Sequence, residues 1–162
     1  MANVLCPPSR RNKPDRTRPS IYLAGPFGEG GWRDEAIAAI ADLDVDVFDP
    51  RDGVWETAAA GELPPGALRG KLEWQITNAA DATVVVFWLP RDVVAPTALL
   101  QLGMLAAKRG GAKRGSSVIV GPEGDPNDLV RAFVGAMRVF LMPTLADVMR
   151  AARHELTRRD GA

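Results

Sequence analysis

The side chains best suited to chemistry lie in loops that follow apolar runs of this 162-residue sequence. A glycine-rich loop opens with Gly25-Pro26-Phe27 and ends with Trp32-Arg33, so it combines close backbone approach, an aromatic face and a fixed positive charge. A second loop holds Asp49 and Arg51, and a third holds Asp92. Such groups suit a ring that carries an anionic or hydroxylated appendage. Glycines that simply make the turn are the plainer alternative for the first loop.

Composition removes several catalytic chemistries. The chain has 20 basic and 20 acidic residues, one histidine (His154) and one cysteine (Cys6), which excludes a disulfide scaffold and any metal site rich in cysteine or histidine. The glycine-rich loop has no Lys-Ser/Thr pair after its glycines, and its spacing fails the dinucleotide pattern at Arg33. Carboxylates, amides and backbone groups must therefore carry any catalysis.

From Ser20 onward, short apolar runs alternate with helical patterns. Strands are predicted over 21–24, 45–48, 83–89, 118–120 and 139–141, and helices over 34–43, 68–79, 96–108, 127–136 and 144–159. The alternation predicts a three-layer α/β sandwich around a five-stranded parallel sheet. Because ligands bind at the carboxyl ends of such strands, the loops named above should line one edge of the sheet.

The first 19 residues differ from the rest of the chain. They hold five basic side chains, one acidic side chain and four prolines, with almost no apolar periodicity. We therefore expect residues 1–19 to be a disordered basic tail and residues 20–160 to be one domain. A solvated tail is favoured over a nucleic-acid contact. No apolar run approaches the length of a membrane span, so no membrane partner is expected and a cytoplasmic location is predicted.

An ordered set of motifs extends this interpretation. It comprises Ile21-Tyr22-Leu23-Ala24-Gly25-Pro26, Trp32-Arg33, Leu72-Glu73-Trp74 followed by Ala80-Asp81, Phe87-Trp88-Leu89-Pro90, and Pro96-Thr97-Ala98-Leu99-Leu100-Gln101-Leu102-Gly103. From about residue 20 to residue 121 the set resembles the nucleoside 2-deoxyribosyltransferase superfamily. The resemblance implies a flavodoxin-like, Rossmann-like fold and cleavage of an N-glycosidic bond in a nucleoside or nucleotide. It also implies a homo-oligomer and no metal or organic cofactor.

The resemblance assigns roles to particular residues. The family nucleophile is the Glu of a Glu-Leu-Gly segment, and the matching position here is Gln101, followed by Leu102-Gly103. Glu73 matches an acid that the family places near the base, and Asp92 is a further catalytic candidate. Candidates for substrate binding are Gly25, Pro26, Phe27, Trp32, Arg33, Asp49 and Arg51.

Three functions remain open at this point. In the first alternative the chain is an enzyme that cleaves N-glycosidic bonds, either a deoxyribosyltransferase or a nucleotide N-hydrolase. Its activity is then impaired, because the Gln101 amide cannot form the glycosyl ester. It is alternatively a catalytically weak nucleoside or nucleotide binder that acts as a sensor or regulator. In the third alternative the fold is a scaffold for a partner. The preferred base and the need for a 5′-phosphate are also open.

Overall fold

Five parallel strands form one open sheet in the computed structural model, which describes residues 1–7, 18–26, 31–51, 66–89, 96–109, 117–122, 124, 128–137, 139 and 141–158. The strands are β1 (Asn3–Leu5), β2 (Ser20–Ala24), β3 (Asp46–Phe48), β4 (Val84–Leu89) and β5 (Ser117–Pro122). They lie in the order β1-β3-β2-β4-β5. The predicted α/β fold with a five-stranded parallel sheet is confirmed.

Helices cover both faces of this sheet. They are α1 (Trp32–Ala38), α2 (Ala67–Asp81), α3 (Pro96–Arg109), α4 (Asp128–Ala136) and α5 (Leu145–Arg158). One apolar cluster joins the sheet to α2, α3 and α4, and a second cluster joins it to α1 and α5. The structure therefore has the three predicted layers. No helix in the described ranges is long and apolar enough to cross a membrane.

Strand β4 supplies both clusters. Its side chains alternate, with Val85 and Phe87 in the cluster under α2 and α3, and Val84, Val86 and Trp88 in the cluster under α1 and α5. All six residues of the strand are buried. A strand covered on both faces needs apolar residues at every position, which explains the absence of polar alternation in the sequence.

The fifth strand is not the predicted one. Among the described residues of the segment 139–141, one parallel bridge is formed, between Val120 and Leu141. The Val139 N–H instead donates to the carbonyl of Val134, so it cannot join a ladder with β5. When the bridging segment at Leu141 is counted as a further strand beside β5, the strand order that begins with β3-β2-β4-β5 is that of a flavodoxin-like sheet.

The fifth strand of the sheet is β1, which lies in the segment expected to be disordered. β1 pairs in parallel with β3, and Asn3 Nδ2 donates to Asp46 Oδ1 at 3.2 Å. The expectation of a disordered tail is therefore wrong for residues 3–5, because the short segment Asn3-Val4-Leu5 has a partner edge to pair with. Residues 8–17 of the predicted tail lie outside the described residues.

The strand order reverses between β2 and β4. β3, the next strand along the chain, pairs with β2 on one side, and β4 pairs with β2 on the other side. Gly25 follows β2 at this point. A Cβ on Gly25 would lie 2.6 Å from the Trp88 carbonyl oxygen and 2.7 Å from Trp32 Cζ2. Only glycine therefore fits, and the loop after β2 lies directly against β4 at the place where doubly wound folds bind ligands.

Gly121 in β5 gives a test of this packing. A Cβ there would lie 2.5 Å from Val148 Cγ2 and 2.7 Å from Trp88 Cζ3, so α5 would have to move. We expect Gly121→Ala to lower the free energy of unfolding by about 1–3 kcal/mol through overpacking, measured by urea denaturation.

Gly70→Ala is the matched control. A Cβ at Gly70 meets nothing within 4 Å, and the residue lies inside α2. Because alanine is the better helix former, this variant should gain about 1 kcal/mol of stability. Equal effects of the two substitutions would contradict the packing described for β5.

Candidate functional site

Arg33 anchors the loop that follows β2. Its Nη2 donates to the Gly25 carbonyl and its Nη1 to the Pro26 carbonyl, both at 2.8 Å. The side chain is only 3% exposed, although it lies in the first turn of α1. Arg33 is predicted to offer a positive charge to a ligand; in the structure its guanidinium donates to the backbone at the start of the loop after β2.

Asp49 joins this arrangement from the end of β3. Its Oδ1 lies 3.6 Å from Arg33 Nε, and its Oδ2 lies 2.6 Å from Arg51 Nη2. Arg51 also pairs with Asp34 at 2.7 Å, and this hydrogen bond lowers the pKa of the Asp34 carboxyl group. The two arginines and two carboxylates therefore form one network that ties α1 to the loop after β3.

Trp32 lies in the core at the same edge. It is 7% exposed, and the Arg33 guanidinium carbon lies 4.4 Å from the centroid of its ring. The ring was predicted to present an aromatic face to a ligand, but in the structure it packs beside Gly25 and Arg33. Within the described part of the chain its buried Nε1–H has no hydrogen-bond acceptor.

Gln101 lies on the other side of the sheet, in the second turn of α3. It is 6% exposed, and its Nε2 donates to Gln75 Oε1 at 3.1 Å. A side-chain hydrogen bond also joins Gln101 to the Tyr22 hydroxyl. Position 101 therefore faces the sheet beside the central strand β2. We call Tyr22, Gln75 and Gln101 the amide cluster.

Of the other two catalytic candidates, the structure describes only Glu73, which lies apart from this cluster. Glu73 is exposed on α2 and pairs with Arg69 at 2.7 Å. It stands two residues from Gln75, a rotation of about 200° around the helix, so the two side chains leave α2 on opposite sides. Asp92 and the predicted binding residue Phe27 lie outside the described residues.

Sequence reasoning missed three buried polar residues, two of which, Tyr22 and Gln75, contact Gln101. Tyr22 stands inside the apolar run of β2, while Lys71 and Gln75 belong to the sheet-facing side of α2 together with Trp74 and Ala79. The apolar spacing of Leu68, Leu72, Ile76 and Ala79 predicts one inward face, and of these four residues only Ala79 is buried in the structure. In the structure Leu68 and Ile76 are 55% and 43% exposed. Trp74 is the residue whose position could have indicated which side of α2 faces the sheet, since its ring packs edge-on against Phe48.

The structure also contains an open cavity of about 780 Å³ between β5 and α5. Ser117, His154 and Glu155 line it, but the Ser117 hydroxyl donates to Glu155 Oε2, and His154 Nδ1 lies 3.8 Å from Glu155 Oε1. The acid therefore stands between serine and histidine, and the arrangement lacks the serine–histidine contact of a catalytic triad.

The groups of the described site are amides, a phenol, an indole N–H and paired charges. Among the described residues no group of three or more histidine, cysteine, aspartate or glutamate side chains could hold a metal ion. Such a set of groups can bind a hydroxylated or heterocyclic ligand through hydrogen bonds.

Tyr22 allows a spectroscopic test of the amide cluster because it is the only tyrosine in the chain. Burial raises the pKa of its hydroxyl, and the hydrogen bond with Gln101 only partly opposes this effect. The native protein thus keeps a proton that an unfolded chain loses near pH 10, so the free energy of unfolding should fall as the pH rises above about 10.

We expect an alkaline titration to give no phenolate absorbance until circular dichroism reports unfolding. In urea the same tyrosine should titrate near pH 10. Phenolate formation near that pH in a chain that is still folded would contradict the burial of Tyr22.

Comparison with known proteins agrees with this geometry. A family model described as nucleoside 2-deoxyribosyltransferase like matches residues 18–114, which is more than half of the chain. The match includes the Gly25 loop, α2, β4 and Gln101. No curated protein matches the chain significantly. The chain therefore belongs to the nucleoside 2-deoxyribosyltransferase-like family.

Proposed function

We propose that this protein acts on the N-glycosidic bond of deoxynucleosides or nucleotides, as a deoxyribosyltransferase or an N-hydrolase, with a turnover limited by Gln101. The observation that carries the proposal is the location of Gln101. The residue that the family resemblance assigns as nucleophile is a buried amide, bonded to Gln75 and Tyr22 beside the central strand.

The reaction explains why an amide at this position limits the rate. Cleavage of a glycosidic bond builds positive charge on the sugar, and a retaining reaction uses a carboxylate that stabilises this charge and forms a covalent intermediate. An amide cannot form that ester. Loss of one focused electrostatic contact alone costs about 3 kcal/mol of barrier, or about 10² in rate.

Turnover by the natural sequence then depends on another acid. We propose Glu73 or Asp92 for this role, as a proton donor to the leaving base or as a base that activates water for hydrolysis. The exposure of Glu73 on α2 is compatible with a site that a second subunit completes. Direct attack by water needs no covalent intermediate, so the hydrolase reaction is less affected by Gln101 than transfer is.

The loop after β2 is the proposed binding site for the ligand. We assign Gly25, Pro26 and Phe27 to backbone and ring contacts, and the Trp32 indole N–H to a hydrogen bond with an acceptor of the ligand. Arg33, Asp49 and Arg51 hold this loop in position. The reaction class needs no metal or organic cofactor, and we propose a cytoplasmic location.

The second candidate function is that of a catalytically weak nucleoside or nucleotide binder, a sensor or regulator. Gln101 favours it, because the amide retains its hydrogen bonds while it removes the anion that the chemistry requires. Ligand binding without turnover would decide for this function.

We propose that the chain forms a homo-oligomer through α2. Leu68 and Ile76 are exposed on this helix at a spacing of eight residues, with the half-buried Leu72 between them, and Leu100 of the adjacent α3 is 77% exposed. Such a stripe is what an interface between helices buries. A second copy at α2 would also lie close to Glu73.

Gln101→Glu tests the proposed role of position 101. The new carboxylate would accept hydrogen bonds from the Tyr22 hydroxyl and, after rotation of its amide, from Gln75 Nε2. We expect the rate of base release from a panel of deoxynucleosides and deoxynucleotides to rise by about 10² or more, with and without an acceptor base, measured by chromatography.

Gln75→Glu is the matched control, since it makes the same change one hydrogen bond away. It should give a much smaller increase. Equal rates for the wild type and Gln101→Glu, at equal ligand affinity and with both proteins folded, would refute the role of residue 101. If neither protein binds any member of the panel, the glycosidic function itself is refuted.

Leu68→Asp combined with Ile76→Asp tests the oligomer. We expect the variant to sediment as a monomer, because charged side chains replace the exposed apolar stripe on α2. The control is Thr77→Asp, an exposed position next to Ile76 on the same helix, which should keep the wild-type mass. A monomeric wild type, or an oligomer that survives both substitutions, would contradict the interface.

A further inference from the structure

The edge strand β1 is bonded to the network that holds the loop after β2. The carbonyl oxygen of Leu5, the last residue of β1, accepts the backbone N–H of Asp49 at 3.0 Å. Asp49 is 1% exposed, and its carboxylate lies 3.6 Å from Arg33 Nε. Arg33 in turn donates to the carbonyls of Gly25 and Pro26. Two residues, Asp49 and Arg33, therefore connect the end of β1 to the start of the loop.

The backbone groups of β1 alternate between β3 and the outer edge of the sheet. The Asn3 N–H donates to the Val45 carbonyl and the Leu5 carbonyl accepts from Asp49, so Asn3 and Leu5 direct their backbone groups toward β3. Val4 lies between them and directs its N–H and carbonyl to the outer edge, because neighbouring residues of a strand alternate. Leu5 therefore belongs to the ladder with β3, and Val4 does not.

Arg18 holds the other end of β1. Its Nη2 donates to the Met1 carbonyl at 3.0 Å and to Asp44 Oδ1 at 2.7 Å. Met1 and Leu5 are four residues apart, which is about 13 Å along a strand. A substitution of Arg18 thus alters the attachment of β1 at a distance from the hydrogen bond between Leu5 and Asp49.

Undocking of β1 from β3 changes the environment of Asp49. Its N–H loses the Leu5 carbonyl as acceptor, and water reaches the end of β3. Water raises the effective dielectric constant, so the attraction between the Asp49 carboxylate and the Arg33 guanidinium weakens. Coupling between two places in a protein requires an element with two arrangements that both places bias. Docked and undocked β1 are two such arrangements, because only three residues form its ladder.

We propose that β1 positions the loop after β2: the docked strand fixes Asp49, and Asp49 with Arg33 fixes the start of the loop. Leu5 and Arg18 are positioning residues in this arrangement, since both act through other groups. The coupling itself is a property of the chain without any ligand. Its effect on affinity rests on the proposed function, because that effect requires a ligand at this loop.

Cys6 provides a probe for the docking of β1, because it follows Leu5 and is the only cysteine in the chain. Its half-buried side chain should react faster with a thiol reagent when β1 is undocked. The loop is followed through the NMR signals of the Gly25 amide and the Arg33 Nε–H. Both readouts are measured on the full chain without ligand.

Leu5→Pro removes an N–H that points toward β3, whereas the matched control Val4→Pro removes one that points to the outer edge. Loss of a ladder hydrogen bond changes the docking equilibrium by about 10-fold. We therefore expect Leu5→Pro to raise the labelling rate of Cys6 by about this factor and to shift both loop signals. Val4→Pro should leave the labelling rate and the loop signals close to those of the wild type.

Arg18→Met weakens the docking of β1 from its far end. It should move both readouts in the same direction as Leu5→Pro, because both variants act through undocking. Arg153→Met is the control, since Arg153 also binds one aspartate, Asp42, and one carbonyl, that of Ala39. None of its described bonds reaches β1, so this variant should change neither readout.

A ligand arm uses the panel of deoxynucleosides and deoxynucleotides that tests Gln101→Glu, and takes the member that the wild type binds most tightly. A ligand that needs the docked state has its affinity reduced in proportion to the docked fraction. We expect Arg18→Met to bind it about 3- to 10-fold more weakly. Because coupling is reciprocal, saturation with this ligand should slow the labelling of Cys6 in the same variant.

Unchanged loop signals in a folded Leu5→Pro with faster labelling of Cys6 would overturn the coupling, since β1 would then undock without an effect on the loop. Equal effects of Arg18→Met and Arg153→Met would overturn it as well. Labelling at the wild-type rate in both Leu5→Pro and Arg18→Met would overturn the two attachments assigned to β1. All three outcomes leave the proposed function intact. If the loop signals shift as expected but no member of the panel binds the wild type, the coupling is supported and the proposed function is refuted, so the two failures are distinguishable.

Discussion

The close approach of β2 and β4 is the constraint on which the site depends. Four residue pairs join the two strands in parallel, and the chain leaves β2 at Gly25 with no room for a side chain beside the Trp88 carbonyl. This contact brings the loop after β2 to the end of β4. It also fixes the two helices that follow these strands, so Trp32 and Arg33 lie on one face of the sheet and Gln101 on the other.

The amide cluster has a structural role whatever its catalytic one. Tyr22, Gln75 and Gln101 are buried among apolar side chains, where a polar group without a partner would cost about 1–3 kcal/mol. Their mutual hydrogen bonds offset this cost and hold α2 and α3 in register with β2. A carboxylate at position 101 would need donors from the same neighbours, and the phenol and the amide can both supply them. The arrangement therefore suits either side chain in geometry, and the difference between them lies in charge.

Much of the fold was predictable because the strongest strand is apolar at every position and some helices carry a clear start signal. Thr144, the first residue of the predicted segment 144–159, caps α5, since its Oγ1 accepts the Asp147 N–H. The inward face of α2 was not predictable from apolar spacing. Leu68 and Ile76 are exposed, whereas Lys71 and Gln75 are buried. Gln75 has a polar partner on α3, Gln101, and the sequence does not mark such partners. Tyr22 was missed for the same reason, since the apolar run of β2 does not show that its hydroxyl has a polar partner. The fifth strand was assigned to 139–141 instead of 3–5, because hydrophobicity does not reveal that the Val139 N–H is taken by Val134.

The edge strand β1 has a consequence for the dynamics of the sheet. It pairs with β3 along only three residues, two of which are exposed, whereas β2, β4 and β5 are held by longer ladders. A short strand with few buried contacts is the first part of a sheet to open locally. Amide hydrogen exchange should therefore be faster for the β1 backbone than for the central strands. Each local opening of β1 exposes the unpaired backbone of β3. The probability that β3 pairs with a strand of another molecule therefore depends on how much of the time β1 stays paired with it.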